Sequence, residues 1–347
     1  MVHLRIVVPS YQTEHVLDLL NNTPSVCNLI YLERAAQRPE GDVILCDVAR
    51  EDASVIVSDL KEFEVDREGS IAMEDIDSLT SEAARRAEEA APGLPTDAVV
   101  WEEVEARTSE NVELSASFLA FMTLAMLIAG VGILTDQLIL IIGAMVVGPE
   151  FGPIAGLSVA AVQRRMDLAK RSFIALAVGF PLGITVTFLG TLALDGLNLI
   201  PTDFAQEGHP FTDFISNPDH FSAIVAFFAG LAGVLALTSA KSGALVGVLI
   251  SVATIPAAAN IGVAAALGDG EEWVGAMQQL ALNLGAIFLA GIGTLYVQRL
   301  LYVRRRRRHL THEAREAAGL PLGFSRRDEG AGGRRVLERS PGSDADA

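Results

Sequence analysis

Cysteine is scarce in this chain: two among 347 residues, Cys27 and Cys46. Neither belongs to a CxxC pair or has a histidine beside it. A disulfide framework and a thiolate metal site therefore have no support, and both cysteines read as reduced core residues of strands. A phosphate-cradling glycine loop, a metal-spaced cluster and a nucleophile–base pair are all missing. That argues against an enzyme, and it leaves no resident metal or cofactor to expect. The first residues, MVHLRIVVPSYQ, have too short an apolar run for a signal peptide, so the N-terminal part is expected to stay in the cytosol. Lysine and arginine are absent from six long apolar runs and from three of the loops between them.

What is present pulls in two directions. Half of the residues are apolar, yet the formal net charge is -17. Dividing the chain resolves the conflict. Residues 1–113 hold 25 acids against 9 bases, whereas the rest holds 18 against 17. An acidic soluble third argues against nucleic acid, which requires a basic face.

Residues 1–80 read as a small α+β domain. Strands are predicted at 3–8, 26–32, 42–48 and 70–76, and helices at 13–20, with Thr13 as a cap, and at 53–63. The order βαββαβ is that of a ferredoxin-like sheet with two helices on one face. Such a domain hosts functions without defining one; a small ligand or a protein is its expected partner. Residues 81–113 are charged and helix-prone, interrupted at Pro92 and Pro95, and read as a helical linker.

Residues 114–303 predict a six-helix membrane domain. Apolar runs at 115–134, 138–162, 173–194, 221–238, 244–267 and 274–297 are all near spanning length. Six such runs in one soluble core would leave no polar face. The connections alternate. Arg164, Arg165, Lys170 and Arg171, then Lys241, then Arg304–Arg308 fall on one side, and loops without Lys or Arg on the other. The positive-inside rule then places both termini in the cytoplasm, with the lipid bilayer as partner. Arg304–Arg308 reads as a topology anchor at headgroups, and 304–347 as a basic, then disordered, tail.

The second run is the unusual one. Gly148, Pro149, Glu150, Phe151, Gly152 and Pro153 interrupt it, because each proline lacks a donor and clashes with the preceding turn. Glu150 is the one charge well inside a run, and an intramembrane carboxylate is by default a proton carrier or an ion ligand. A faint repeat supports this focus: Gly143, Pro153, Gly156 and Ala161 are echoed by Gly247, Pro256, Gly262 and Ala265. Each set falls on the middle helix of three crossings, which makes the second triplet inverted relative to the first. Inverted repeats with broken helices mark transporters with a midplane site. Ser251, Thr254, Pro256 and Asn260 would form the facing half of that site. Asn283, a buried amide in the last run, is either a ligand or a link between helices.

The run GAMVVGPEFGPIAGL, the turn QRRMDLAKR, the run GALVGVLISVATIPAAANIGVAAALGD and LALNLGAI together resemble DUF389, a bacterial and archaeal membrane family of uncharacterised function. The resemblance covers about residues 1–305 and implies a membrane location and fold, but no activity. Two positions depart from the family pattern: Glu150 stands where many members carry an apolar residue, and Ala257 where many carry a second proline.

The expectation is a transporter or channel for a small solute or ion, regulated by the cytosolic domain and assembled as a homo-oligomer. The alternative is a membrane sensor or scaffold that oligomerises and signals through its acidic domain.

Overall fold

The computed structural model describes residues 1–76, 78–91, 93, 98–200, 215–239, 253–323 and 325. The chain divides into two units, Met1–Val100 with Leu301–Ala347, and Trp101–Leu300.

Unit 1 contains β1 (Val2–Val8), α1 (Thr13–Asn21), β2 (Val26–Gln37), β3 (Glu40–Val48), α2 (Arg50–Glu62), the short α3 (Val65–Glu68), β4 (Ser70–Asp75) and α4 (Glu82–Ala90). The sheet order is β2-β3-β1-β4, and every neighbouring pair is antiparallel. Alternation explains the packing. Val2, Leu4, Ile6 and Val8 are buried on one face of β1 and meet Val16, Leu19 and Leu20 of α1 and Ile56 and Leu60 of α2. Burying each of these side chains contributes about 1.5–3 kcal/mol. Thr13 does not cap α1, whose N-cap is Gln12. Its hydroxyl donates instead to Asp42 Oδ2 at 2.6 Å. Cys27 and Cys46 are free, and burial pushes the Cys46 thiol up to about 12.

The two units divide at 100 and 300, and the described part of the C-terminal segment packs into unit 1. Helix α2 carries two acids one turn apart, Asp59 and Glu62, whose side chains are fully buried. Their partners come from beyond residue 300. Arg306 donates to Asp59 at 3.3 Å and to Glu62 at 2.9 Å, His309 Nε2 lies 2.8 Å from Asp59, and the buried Arg315 donates to both carboxylates. Ala318 joins the sheet core. Arg305 donates to the Glu51 carbonyl at 2.7 Å. Two of the five arginines expected at headgroups are thus engaged by this unit. Residues 326–347, expected to be disordered, lie outside the described residues.

Unit 2 is helical: α5 (Trp101–Asn111), α6 (Ala116–Leu134), α7 (Leu138–Val147), α8 (Phe151–Gln163), α9 (Met166–Gly196), α10 (His220–Thr238), α11 (Thr254–Leu267) and α12 (Gly270–His309), the last of which ends in unit 1. A final short helix, α13 (Glu313–Ala317), belongs to unit 1. Among the described residues four helices, α6, α9, α10 and α12, are long and apolar enough to cross a membrane, and the pair α7–α8, bent by 49°, is either a fifth, broken span or a re-entrant loop. Exposed residues such as Phe121 and Leu124 on α6, Phe173 and Ile174 on α9, and Leu289 on α12 make these helices apolar all round, which points to a membrane protein. Six crossings were expected. Of the one expected at 244–267, only α11 is described, 14 residues long. Small residues bring the helices together. A Cβ on Gly262 would fall 2.8 Å from the Ile184 carbonyl of α9, and one on Gly183 would meet Met126 of α6.

Candidate functional site

The chain breaks where glycine and proline require it, but at one proline rather than two. Helix α7 ends at Val147, and its cap, Gly148, turns extended with ψ 129°. Pro149 follows and Glu150 is the N-cap of α8. Pro153 is the third residue of α8 and is absorbed into its first turn, where no intrahelical acceptor awaits its missing N–H. Pro256 is likewise the third residue of α11. The two prolines therefore mark two helix starts, and these starts meet.

Glu150 joins them. It is 4% exposed, and its Oε1 accepts from the Thr254 hydroxyl at 2.6 Å. Thr254, the first residue of α11, is 1% exposed. The other oxygen, Oε2, has no hydrogen-bond partner among the described residues. It lies against Gly148, where an added Cβ would fall 2.4 Å from Oε2 and 2.5 Å from Ile255 Cγ1. Glycine at 148 is thus what admits the carboxylate. Among the described residues no ion pair to Glu150 is found. The local compensation for its charge is the Thr254 hydroxyl and the partial positive ends of α8 and α11.

The other expected site residues divide. Gly148 and Thr254 touch Glu150, and Pro149 and Pro256 shape the two ends. Gly152 does not face the site. Its Cα packs against Asn111, where a Cβ would fall 2.9 Å from the Asn111 Cβ. Asn260 sits six residues further along α11, about 9 Å at 1.5 Å per residue. It donates to Glu272 Oε2 at 3.4 Å, at the start of α12, rather than to Glu150. Asn283 accepts from Gln279 at 3.3 Å one turn away on its own helix. Both amides are 2% exposed. Ser251 lies outside the described residues, as do Gly247 of the repeat and most of the loop 195–220. Within that loop, Asp219 caps α10, accepting from the Ser222 amide at 2.6 Å. Two partners were missed from sequence. Gln279 was signalled by its spacing of four from Asn283, and Glu272 by nothing beyond its charge. Among the described residues there is no group of three or more His, Cys, Asp or Glu that could hold a metal.

The similarity to known proteins reaches only part of the chain. The chain is 28% identical over 202 residues to the uncharacterized protein MJ0678 of Methanocaldococcus jannaschii, an alignment covering 56% of this chain and 58% of that relative. No solved structure matches. The match to the family is narrower than the 1–305 that the resemblance implied, and it leaves unit 1 outside. The segment 145–289, which carries Glu150, Thr254, Asn260 and Asn283, matches the domain of unknown function DUF389.

Proposed function

We propose that the protein is an integral membrane transporter or channel for a small solute or ion, with its site where α8 and α11 begin. One observation carries this reading: the buried Glu150 carboxylate bonded to Thr254 between two proline-marked helix starts. A carboxylate without a counter-charge is costly in an apolar interior, and such groups persist where they work.

The finer topology rests on parity. The segments before the first long apolar helix and after the last share one core in unit 1, which supports both lying on one side of the membrane. An even number of crossings, such as the four long helices, keeps that rule. A proline third in each of α8 and α11 supports an inverted repeat. The positive-inside rule then places unit 1 in the cytoplasm. The sheet order β2-β3-β1-β4 supports a ferredoxin-like regulator there.

Purified protein in liposomes should move at least one of a panel of common ions and small solutes, and Glu150→Gln should change the rate. Folded, inserted protein that moves nothing would refute the reading and favour a sensor or scaffold.

A further inference from the structure

The charge balance at Glu150 narrows the solute. A helix start carries about half a positive unit charge, so two of them amount to about one. One ionised carboxylate matches that sum. Each start also presents its first amides without intrahelical acceptors, and Pro153 and Pro256 restrict the donors to the first two residues of each helix. Such a place suits an anion, and the anion now filling it belongs to the chain itself.

The carboxylate is also loosely held. Asp42, in unit 1, accepts from Thr13, Tyr31, Ser10 and the Arg34 amide. Asp59 is held by two arginines and a histidine, Arg306, Arg315 and His309. Among the described residues Glu150 accepts one side-chain hydrogen bond, from Thr254, and its Oε2, which has no partner there, rests in the notch left by the missing side chain of Gly148. A cation fits less well. The helix starts repel it, and the nearest amide expected to help, Asn260, is turned to Glu272.

We propose that the place occupied by the Glu150 carboxylate, between the first turns of α8 and α11 and against Gly148, is the binding site of a small anion such as chloride, nitrate or formate. The anion takes the site when the side chain leaves it. This rests on the transport reading above and specifies the sign of its solute.

The test uses the full chain in liposomes loaded with chloride, nitrate or formate salts of potassium, with anion and potassium efflux followed separately. Glu150→Gln removes the competing charge and should raise anion efflux by about tenfold or more. Thr254→Val, which removes the one side-chain donor to the carboxylate among the described residues, should raise it less. Gly148→Ala, which fills the notch, should lower it. Potassium efflux should stay at background in all four proteins. Potassium efflux in the wild type that is lost in Glu150→Gln, without anion efflux, would overturn the anion assignment and leave the transport reading standing. Equal leakage of both signs in Glu150→Gln would also overturn the assignment. Silence for every ion, from proteins that elute and melt like wild type, would overturn both.

Discussion

Replacing Arg315 with methionine should loosen the C-terminal segment from unit 1. The side chains of Asp59, Glu62 and Arg315 are 0% exposed and that of Arg306 is 12% exposed. Two carboxylates there face two guanidinium groups. Arg315 also donates to the Pro321 carbonyl at 3.2 Å. Methionine keeps much of the packing and removes the charge, leaving one buried carboxylate without compensation. Breaking a buried pair from one side costs about 3–5 kcal/mol, a third or more of the stability of a typical domain. At 2–4 °C per kcal/mol the melting transition of unit 1 should fall by roughly 10 °C. Hydrogen exchange, followed by mass spectrometry on the full chain, should show protection lost together in α2 and in 301–320. The double variant Asp59→Asn with Arg315→Met should recover part of the loss, because the surplus charge is gone. A melting point within about 2 °C of wild type, or rapid exchange of 301–320 in the wild type, would refute the reasoning.

Three further outcomes follow from the same geometry. Gly262→Ala should push α11 from α9, because the added carbon meets the Ile184 carbonyl and the Phe188 amide within 3.0 Å. A loss of about 1–3 kcal/mol is expected, read as a lower melting point in detergent, and an unchanged melting point would contradict the packing. Burial pushes the Asp42 carboxyl up, but the hydrogen bonds from Thr13, the Arg34 amide, Tyr31 and Ser10 outweigh it and hold the group below the usual carboxylate range. Its contribution to stability is then full above about pH 4 and is lost as the pH falls through the folded value. Thr13→Val should move acid unfolding of unit 1 to higher pH, and a midpoint moved lower would reverse the sign. Cys46, with its thiol pushed up to about 12 and no exposed surface, should resist alkylation at pH 8 until the protein unfolds. Labelling of Cys46 in the native protein at the rate of a free thiol would show that β3 is misplaced.

Local pattern carried much of the architecture. Strands β1, β3 and β4 and the apolar helices announce themselves through alternation and unbroken apolar length, which depend on neighbours in sequence. Gly148 and Pro149 likewise predict a break without tertiary information. Pro153 does not, because a proline at the third position of a helix looks the same in sequence as one that ends a helix. The docking of the C-terminal segment was illegible for another reason. Asp59 and Arg315 are separated by 256 positions, and a run of arginines after an apolar helix reads equally well as a headgroup anchor. The pairing of Asn260 with Glu272 depends on the turn between α11 and α12, which sequence leaves open. Gly152 and Gly148 look equivalent in the motif, yet one admits Asn111 and the other a carboxylate.

The most direct test of the site is whether the starts of α8 and α11 meet in the membrane. With Cys27 and Cys46 replaced by alanine, Glu150→Cys combined with Thr254→Cys places two thiols where side-chain oxygens lie 2.6 Å apart. Mild oxidation of native membranes should join them rapidly, while Glu150→Cys combined with Asn260→Cys stays reduced. A 150–254 pair that fails to join, or a 150–260 pair that joins as readily, would contradict the account.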